Sequence, residues 1–163
     1  MRSTREGIGK CRGRYAAGVL FYEDLVVGEV RELGEHRVSK EEIIRFATEW
    51  DPAPFHTDEA AAVETVFGGL TASSCHTYSI SSLISSRSPN RVAAAAMMGL
   101  ELRFPEPVRP DDVLVLRNTP IEKRLSASKP GHGVVRSQTT LTNARGEEVF
   151  VMDSTYLVRC RPA

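Results

Sequence analysis

Apolar residues change their spacing about half-way along the chain. Between Ser39 and Ser86 they recur at helical intervals, whereas from Met97 onward they alternate with polar residues in runs separated by turn-forming clusters. Ser39 followed by Glu42 reads as a capping box that opens a helix, and Ile43, Ile44, Phe46 and Ala47 form its apolar stripe. Pro52 and Pro54 stop that helix, because proline donates no backbone N–H and pushes its predecessor out of helical geometry. The segment WDPAPFH (50–56) is therefore expected to be a stiff loop. A second helix is predicted from a cap at Thr57 or Asp58 through Phe67, ending at Gly68-Gly69. A third, from about Ala72 to Ser86, is rich in serine. That suits a helix gripped closely by a sheet better than one facing water.

The rest of the chain reads as strands. A loosely alternating stretch, GEVRELGEHRV (28–38), precedes the first helix. MMGLELRF (97–104), VLVLRNTPIEKRL (113–125), GVVRSQTTLTNA (133–144) and EEVFVMDSTYLVRC (147–160) follow the third, joined by Pro-, Gly- and Asp-rich turns. Helices first and hairpin-joined strands afterwards predict an α+β fold with one antiparallel sheet around a buried helix, spanning residues 21–163 as one domain. Residues 1–20 carry a basic, glycine-containing start without the apolar stretch of a secretory signal, and their composition predicts a disordered extension.

Charge removes several functions from consideration. Lys plus Arg and Asp plus Glu both total 21, so no net field favours nucleic acid or an anionic membrane as partner. Cys11, Cys75 and Cys160 are far apart and odd in number, which points to a reducing, cytoplasmic setting and to no structural zinc. No run is long enough to span a bilayer.

Two short stretches carry candidate chemistry. Asp51 and His56 on a rigid loop can share one water, and imidazole trades a proton near neutrality where a carboxylate alone is too weak a base. Trp50, Phe55 and, further on, Tyr78 are candidates for the walls around them. Spacing alone favours the plainer alternative, in which Asp51 ends a turn and His56 is a solvated residue before a helix. GGLTASSC (68–75) runs a glycine pair into a helix start, so that Gly69 and the amides near Ser73, Ser74 and Cys75 can face a carbonyl oxygen that gains charge. By itself it reads equally as a tight interhelix turn. His76 next to Cys75 carries little weight as a thiol or metal site, since adjacent helical residues diverge and no third ligand is spaced to join them. His36 and His132 read as surface residues.

Taken together, FATEWDPAPFHTDEAAAVETVFGGLTASSCHT (46–77), with GLELRFPEPVRPDDVLVL (99–116), resembles the MaoC-like dehydratase family, which includes the R-specific enoyl-CoA hydratases. Asp51, Pro54, His56, Asp58, Ala62, Phe67 and Gly68 occupy the positions of the family pattern. The resemblance implies a hot-dog fold, in which an antiparallel sheet wraps a long central helix, and a homodimer with sites at the shared interface. It also implies that Asp51 and His56 activate the water added to a trans-2-enoyl thioester, carried by CoA or an acyl carrier protein. The resemblance implies further that a backbone amide nearest Ser74 polarises the thioester carbonyl and that Ser82 supplies a hydroxyl that supports the pair. No cofactor or metal is implied. Arg87, Arg91, Arg103 and Arg109 are available for CoA phosphates. The chain departs from the pattern at Ala53, where the family has Asn, and at Trp50, where it has a small residue. Two other activities fit the same fold: thioester hydrolysis, and acyl-CoA binding without turnover.

Overall fold

The structure, a computed structural model, describes residues 18–162. The basic start lies mostly outside the described residues, but its last part is ordered: the Leu20 amide donates to the Arg91 carbonyl at 2.8 Å, and the Ala93 amide donates to the Leu20 carbonyl at 2.8 Å. Leu20, which the sequence reading placed in the extension over 1–20, is instead paired with Val92 in an isolated bridge, and residues 1–17 of that extension lie outside the described residues.

Five strands form one antiparallel sheet: β1 (Arg31–Arg37), β2 (Ala94–Arg103), β3 (Val113–Leu125), β4 (His132–Thr142) and β5 (Glu148–Arg159). Their order across the sheet is β1-β3-β4-β5-β2. Alternation is clearest in β4, where every second residue from Gly133 to Leu141 is buried. The loose alternation of the first strand has a cause: its register with β3 shifts between Glu32 and Gly34. Gly34 adopts φ +140, and a Cβ there would approach Ile84 Cγ2 to 3.2 Å, so glycine lets the central helix lie close against this strand. Pro120 is accommodated in β3 because pairing with β1 ends at Asn118 and the register with β4 shifts just after Pro120.

The helices are α1 (Lys40–Trp50), α2 (Pro54–Thr57), α3 (Glu59–Val63) and α4 (Ser74–Arg87). Ser39 caps α1, its hydroxyl accepting from the Glu42 amide at 3.1 Å. The expected second helix is broken into α2 and α3. Asp58 interrupts it with an extended backbone and accepts from the amides of Ala60 and Ala61 at 2.8 and 3.1 Å. Nor is WDPAPFH wholly a loop, since Pro54 takes the first helical position, where its missing N–H costs nothing, and α2 carries His56. α4 lies on the concave face of the sheet and contributes Ile80 and Ile84 to a core with Leu114, Leu116, Leu141 and Phe150. Its serine-rich opposite side is largely exposed in the single chain. This is a hot-dog fold.

Candidate functional site

Asp51 follows the last residue of α1, and its amide still bonds to the Ala47 carbonyl at 2.9 Å. The chain then turns through main-chain bonds, the Ala53 amide donating to the Asp51 carbonyl at 2.8 Å and the His56 amide to the Ala53 carbonyl at 2.9 Å, and the Thr57 hydroxyl adds a bond to that same carbonyl at 3.2 Å. Ala53 therefore shapes the loop without a side-chain bond. Five residues after Asp51, one turn of helix returns His56 beside it, with Nε2 at 3.6 Å from Asp51 Oδ2.

The other imidazole nitrogen is committed. His56 Nδ1 lies 2.6 Å from the Thr71 carbonyl oxygen. A carbonyl only accepts, so Nδ1 carries the proton and the neutral ring presents a bare Nε2 towards Asp51. Thr71 is itself held, its amide on the Phe55 carbonyl at 3.2 Å and its hydroxyl on the Val108 carbonyl at 3.1 Å. Phe55 packs edge-on against the His56 ring, with centroids 4.4 Å apart. The imidazole is thus buried and fixed, whereas the Asp51 side chain is 42% exposed and reachable.

Asp51 also meets α4. Ser73 Oγ donates to Asp51 Oδ2 at 2.7 Å and accepts from the Cys75 amide at 3.2 Å, so one hydroxyl caps the helix and orients the carboxylate. The Ser74 amide opens the same helix and has no carbonyl partner within it. The site therefore combines a carboxylate, an acceptor nitrogen and a helix N-terminus.

The structure brings Asp51, His56, Phe55, Ser73, Ser74 and Cys75 together, and it rearranges the remaining expectations. Ser82 lies roughly 13 Å further along the α4 axis than Ser73. It lines a separate cavity with Tyr78, so within the chain the hydroxyl supporting the pair is that of Ser73 and not that of Ser82. Trp50 is 67% exposed and does not wall the pair. Gly69 contributes through its carbonyl, which accepts from Arg109 Nη1 at 2.8 Å, while Arg109 Nη2 bonds to the Phe67 carbonyl. Arg109 thus pins the turn before α4, and Arg103 pairs with Glu101 and Asp153. Neither is free to meet a phosphate.

A second cluster escaped the sequence reading. Glu42, expected to complete the Ser39 capping box, instead bridges two histidines: His36 Nε2 at 3.0 Å and His76 Nε2 at 3.2 Å. His36 is consequently not an idle surface residue. His76 is buried in the first turn of α4, stacked on Phe46 at 4.5 Å, and its Nδ1 has no partner. Burial pushes the His76 pKa down, against the pull of Glu42. Glu42 is pushed up by burial, but the bonds and charge of the two histidines outweigh that and hold it low. The recurrence of Glu42 and His36 on either side of Ser39 was the only local signal, and periodicity does not report pairing to α4. Among the described residues no group of three or more His, Cys, Asp or Glu is arranged to hold a metal, and no helix is long and apolar enough to cross a membrane.

A central helix on a curved antiparallel sheet, with a polar pair at the helix start, defines a hot-dog domain of the dehydratase kind. The chain belongs to the MaoC-like dehydratase family: the family model described as MaoC like domain matches residues 25–143. The MaoC-like dehydratase from Rhodospirillum rubrum is 39% identical, with 88% of this chain and 99% of that chain covered and a TM-score of 0.83. The unliganded R-hydratase PhaJ1 from Pseudomonas aeruginosa is 25% identical, covering 86% of each chain with a TM-score of 0.68. The uncharacterized protein YdeM of Bacillus subtilis (strain 168) is 34% identical over 95 residues, which is 56% of this chain and 67% of that protein.

The Glu42 cluster gives a pH dependence with a definite sign. Both His76 and Glu42 have lowered folded-state pKa values, so the unfolded chain binds more protons and acidification destabilises the fold. The groups facing His76 are Glu42, His36 and Arg45. The thermal unfolding midpoint should begin to fall as pH drops below about 6.5, the ordinary histidine value. His76→Gln should flatten the upper part of that fall, leaving the Glu42 part below about pH 4.3. An unchanged profile in His76→Gln, measured by differential scanning calorimetry, would remove His76 from this role.

Proposed function

We propose that this chain is a hydro-lyase acting on an acyl thioester, adding water across the C2–C3 double bond of a trans-2-enoyl group to give the (R)-3-hydroxyacyl product, or removing it in reverse. One observation carries the reading. The Thr71 carbonyl fixes the proton of His56 on Nδ1, which leaves an acceptor nitrogen 3.6 Å from a carboxylate oxygen. A water seated beside the two, at hydrogen-bond distance of about 2.8 Å from each, can donate one hydrogen to each.

In the forward direction His56 Nε2 accepts one proton as the water oxygen forms its bond to C3. Asp51 holds the other hydrogen, which stays on the new hydroxyl. The double-bond electrons move towards C2 and the thioester carbonyl oxygen, where the Ser74 amide and the α4 terminus oppose the developing charge. His56 then returns its proton to C2, so one water is consumed and no redox or metal step is needed. The dehydratase and R-hydratase relatives support this class of reaction. CoA and acyl carrier protein both present the thioester it requires.

The acting unit in this proposal is a homodimer. β2 is an edge strand, and Met97, Met98 and Leu100 along it are 39%, 61% and 43% exposed in the single chain. Such an edge invites pairing with a second copy. Multi-angle light scattering should give twice the 18.0 kDa chain mass, and Met98→Glu with Leu100→Glu should return it to one. A wild-type monomer at micromolar concentration would exclude the dimer.

Asp51→Asn and His56→Asn should each lower kcat/KM for crotonyl-CoA hydration by a factor of about 10² to 10⁴. Asp51→Asn should leave the unfolding midpoint nearly unchanged, whereas His56→Asn, which loses the buried bond to the Thr71 carbonyl, should lower it while remaining folded. Loss of the enoyl absorbance and gain of one water by mass are the readouts. Full activity in both variants, or thiol release in place of water addition, would overturn the proposal.

A further inference from the structure

A cavity of about 340 Å³ lies between the C-terminal half of α4 and the concave face of the sheet. Neither Asp51 nor His56 of the same chain lines it, and it sits at the other end of the helix from them. Its size falls at the lower end of the range for small-molecule pockets. Leu33, Met97, Val135, Met152 and Val158 make it predominantly apolar, while its charged lining is Arg31 and Arg91, with no carboxylate.

Arg31 is the unusual member. Its Nη2 donates to Asn118 Oδ1 at 2.8 Å, and Asn118 Nδ2 is in turn fixed by Thr139 Oγ1 at 2.9 Å. The guanidinium is therefore held in one direction, yet its Nε and Nη1 are buried without a hydrogen-bond partner. The acid next to it in sequence does not serve it, because Glu32 pairs with Arg117 at 2.9 Å on the other side of the strand. Burial pushes the Arg31 pKa down, and Glu29 only partly opposes it. A half-buried cation with two buried, unmet donor atoms is costly, and such a group sits ready for an anion that enters the same apolar space. Arginine remains charged and matches a carboxylate better than lysine does.

We propose that this cavity binds a short aliphatic chain ending in a carboxylate, with the chain against the apolar wall and the acid group on Arg31. The ligand can be a free carboxylic acid or the far end of a dicarboxylic acyl thioester; both present the same chemistry to Arg31. The assignment does not depend on water addition at Asp51 and His56.

Isothermal titration calorimetry of the full chain with sodium hexanoate and with 1-hexanol tests it. Hexanoate should bind at least about tenfold more tightly than the alcohol, and Arg31→Met should weaken hexanoate roughly 10- to 100-fold while leaving hexanol unaffected. Removing a half-buried charge that has no acidic partner in the cavity should keep the unfolding midpoint of Arg31→Met at or above that of the wild type. Asn118→Ala, which frees the guanidinium, should weaken hexanoate in the same direction by less and covers the case in which Arg31→Met does not fold. Equal binding of acid and alcohol, no heat from either at millimolar ligand, or hexanoate affinity unchanged in the folded variants would overturn the proposal. Titration of adipyl-CoA against hexanoyl-CoA separates the sources. An Arg31-dependent preference for adipyl-CoA identifies the thioester's far end, and Arg31-dependent binding of free hexanoate alone identifies the free acid. These readouts need no turnover, so their failure leaves hydration standing, and an inactive enzyme leaves them interpretable.

Discussion

The hydrogen bond from His56 Nδ1 to the Thr71 carbonyl, at 2.6 Å, ties together the parts of the molecule that the candidate chemistry needs. It joins the one-turn helix after Asp51 to the extended segment that leads into α4. That segment is anchored from its far side by the Thr71 hydroxyl and the Ala72 amide on the Val108 carbonyl. Helix start, imidazole and carboxylate are thereby placed relative to the sheet rather than to a free loop. The same bond decides chemistry as well as position, because it selects the tautomer that leaves Nε2 as an acceptor.

Around this bond the structure spends small polar residues where a larger core would use apolar ones. Ser73 is both a helix cap and the donor that orients Asp51. Arg109 pins the carbonyls of the turn before α4, and Glu42 links β1's end, α1 and α4 through His36 and His76. Ser73, Arg109 and Glu42 are each met by main chain or by a partner side chain, whereas His76 keeps one buried ring nitrogen, Nδ1, without a hydrogen-bond partner. The second half of the helix differs. There an apolar hollow contains a guanidinium that is only partly met.

Much of this was legible in the chain. Strand positions followed from alternation and turn chemistry, the Ser39 cap from its spacing to Glu42, and the Asp51 and His56 pair from a motif shared with a family. What was not legible depended on contacts between distant residues. Ser82 was placed by ungapped alignment, yet Ser73 lies nearer in space because it caps α4 directly beneath Asp51. The 57–67 helix broke because Asp58 competes for the amides of Ala60 and Ala61, a local choice that apolar periodicity does not report. His36 read as a surface residue, Glu42 as part of a capping box, and Arg31 drew no reading, since nothing local reveals that the facing surface is α4 or Asn118. The Trp50 ring, expected beside the pair, is carried outward on the last turn of α1.

The most direct test of the central claim is the protonation state of His56 itself. Long-range ¹⁵N–¹H correlation spectra of histidine-labelled protein near neutral pH, assigned with His56→Asn, report which ring nitrogen carries hydrogen. The account predicts Nδ1–H with an unprotonated Nε2 whose resonance shifts in Asp51→Asn. An Nε2–H tautomer, or an Nε2 signal indifferent to Asp51, would contradict it.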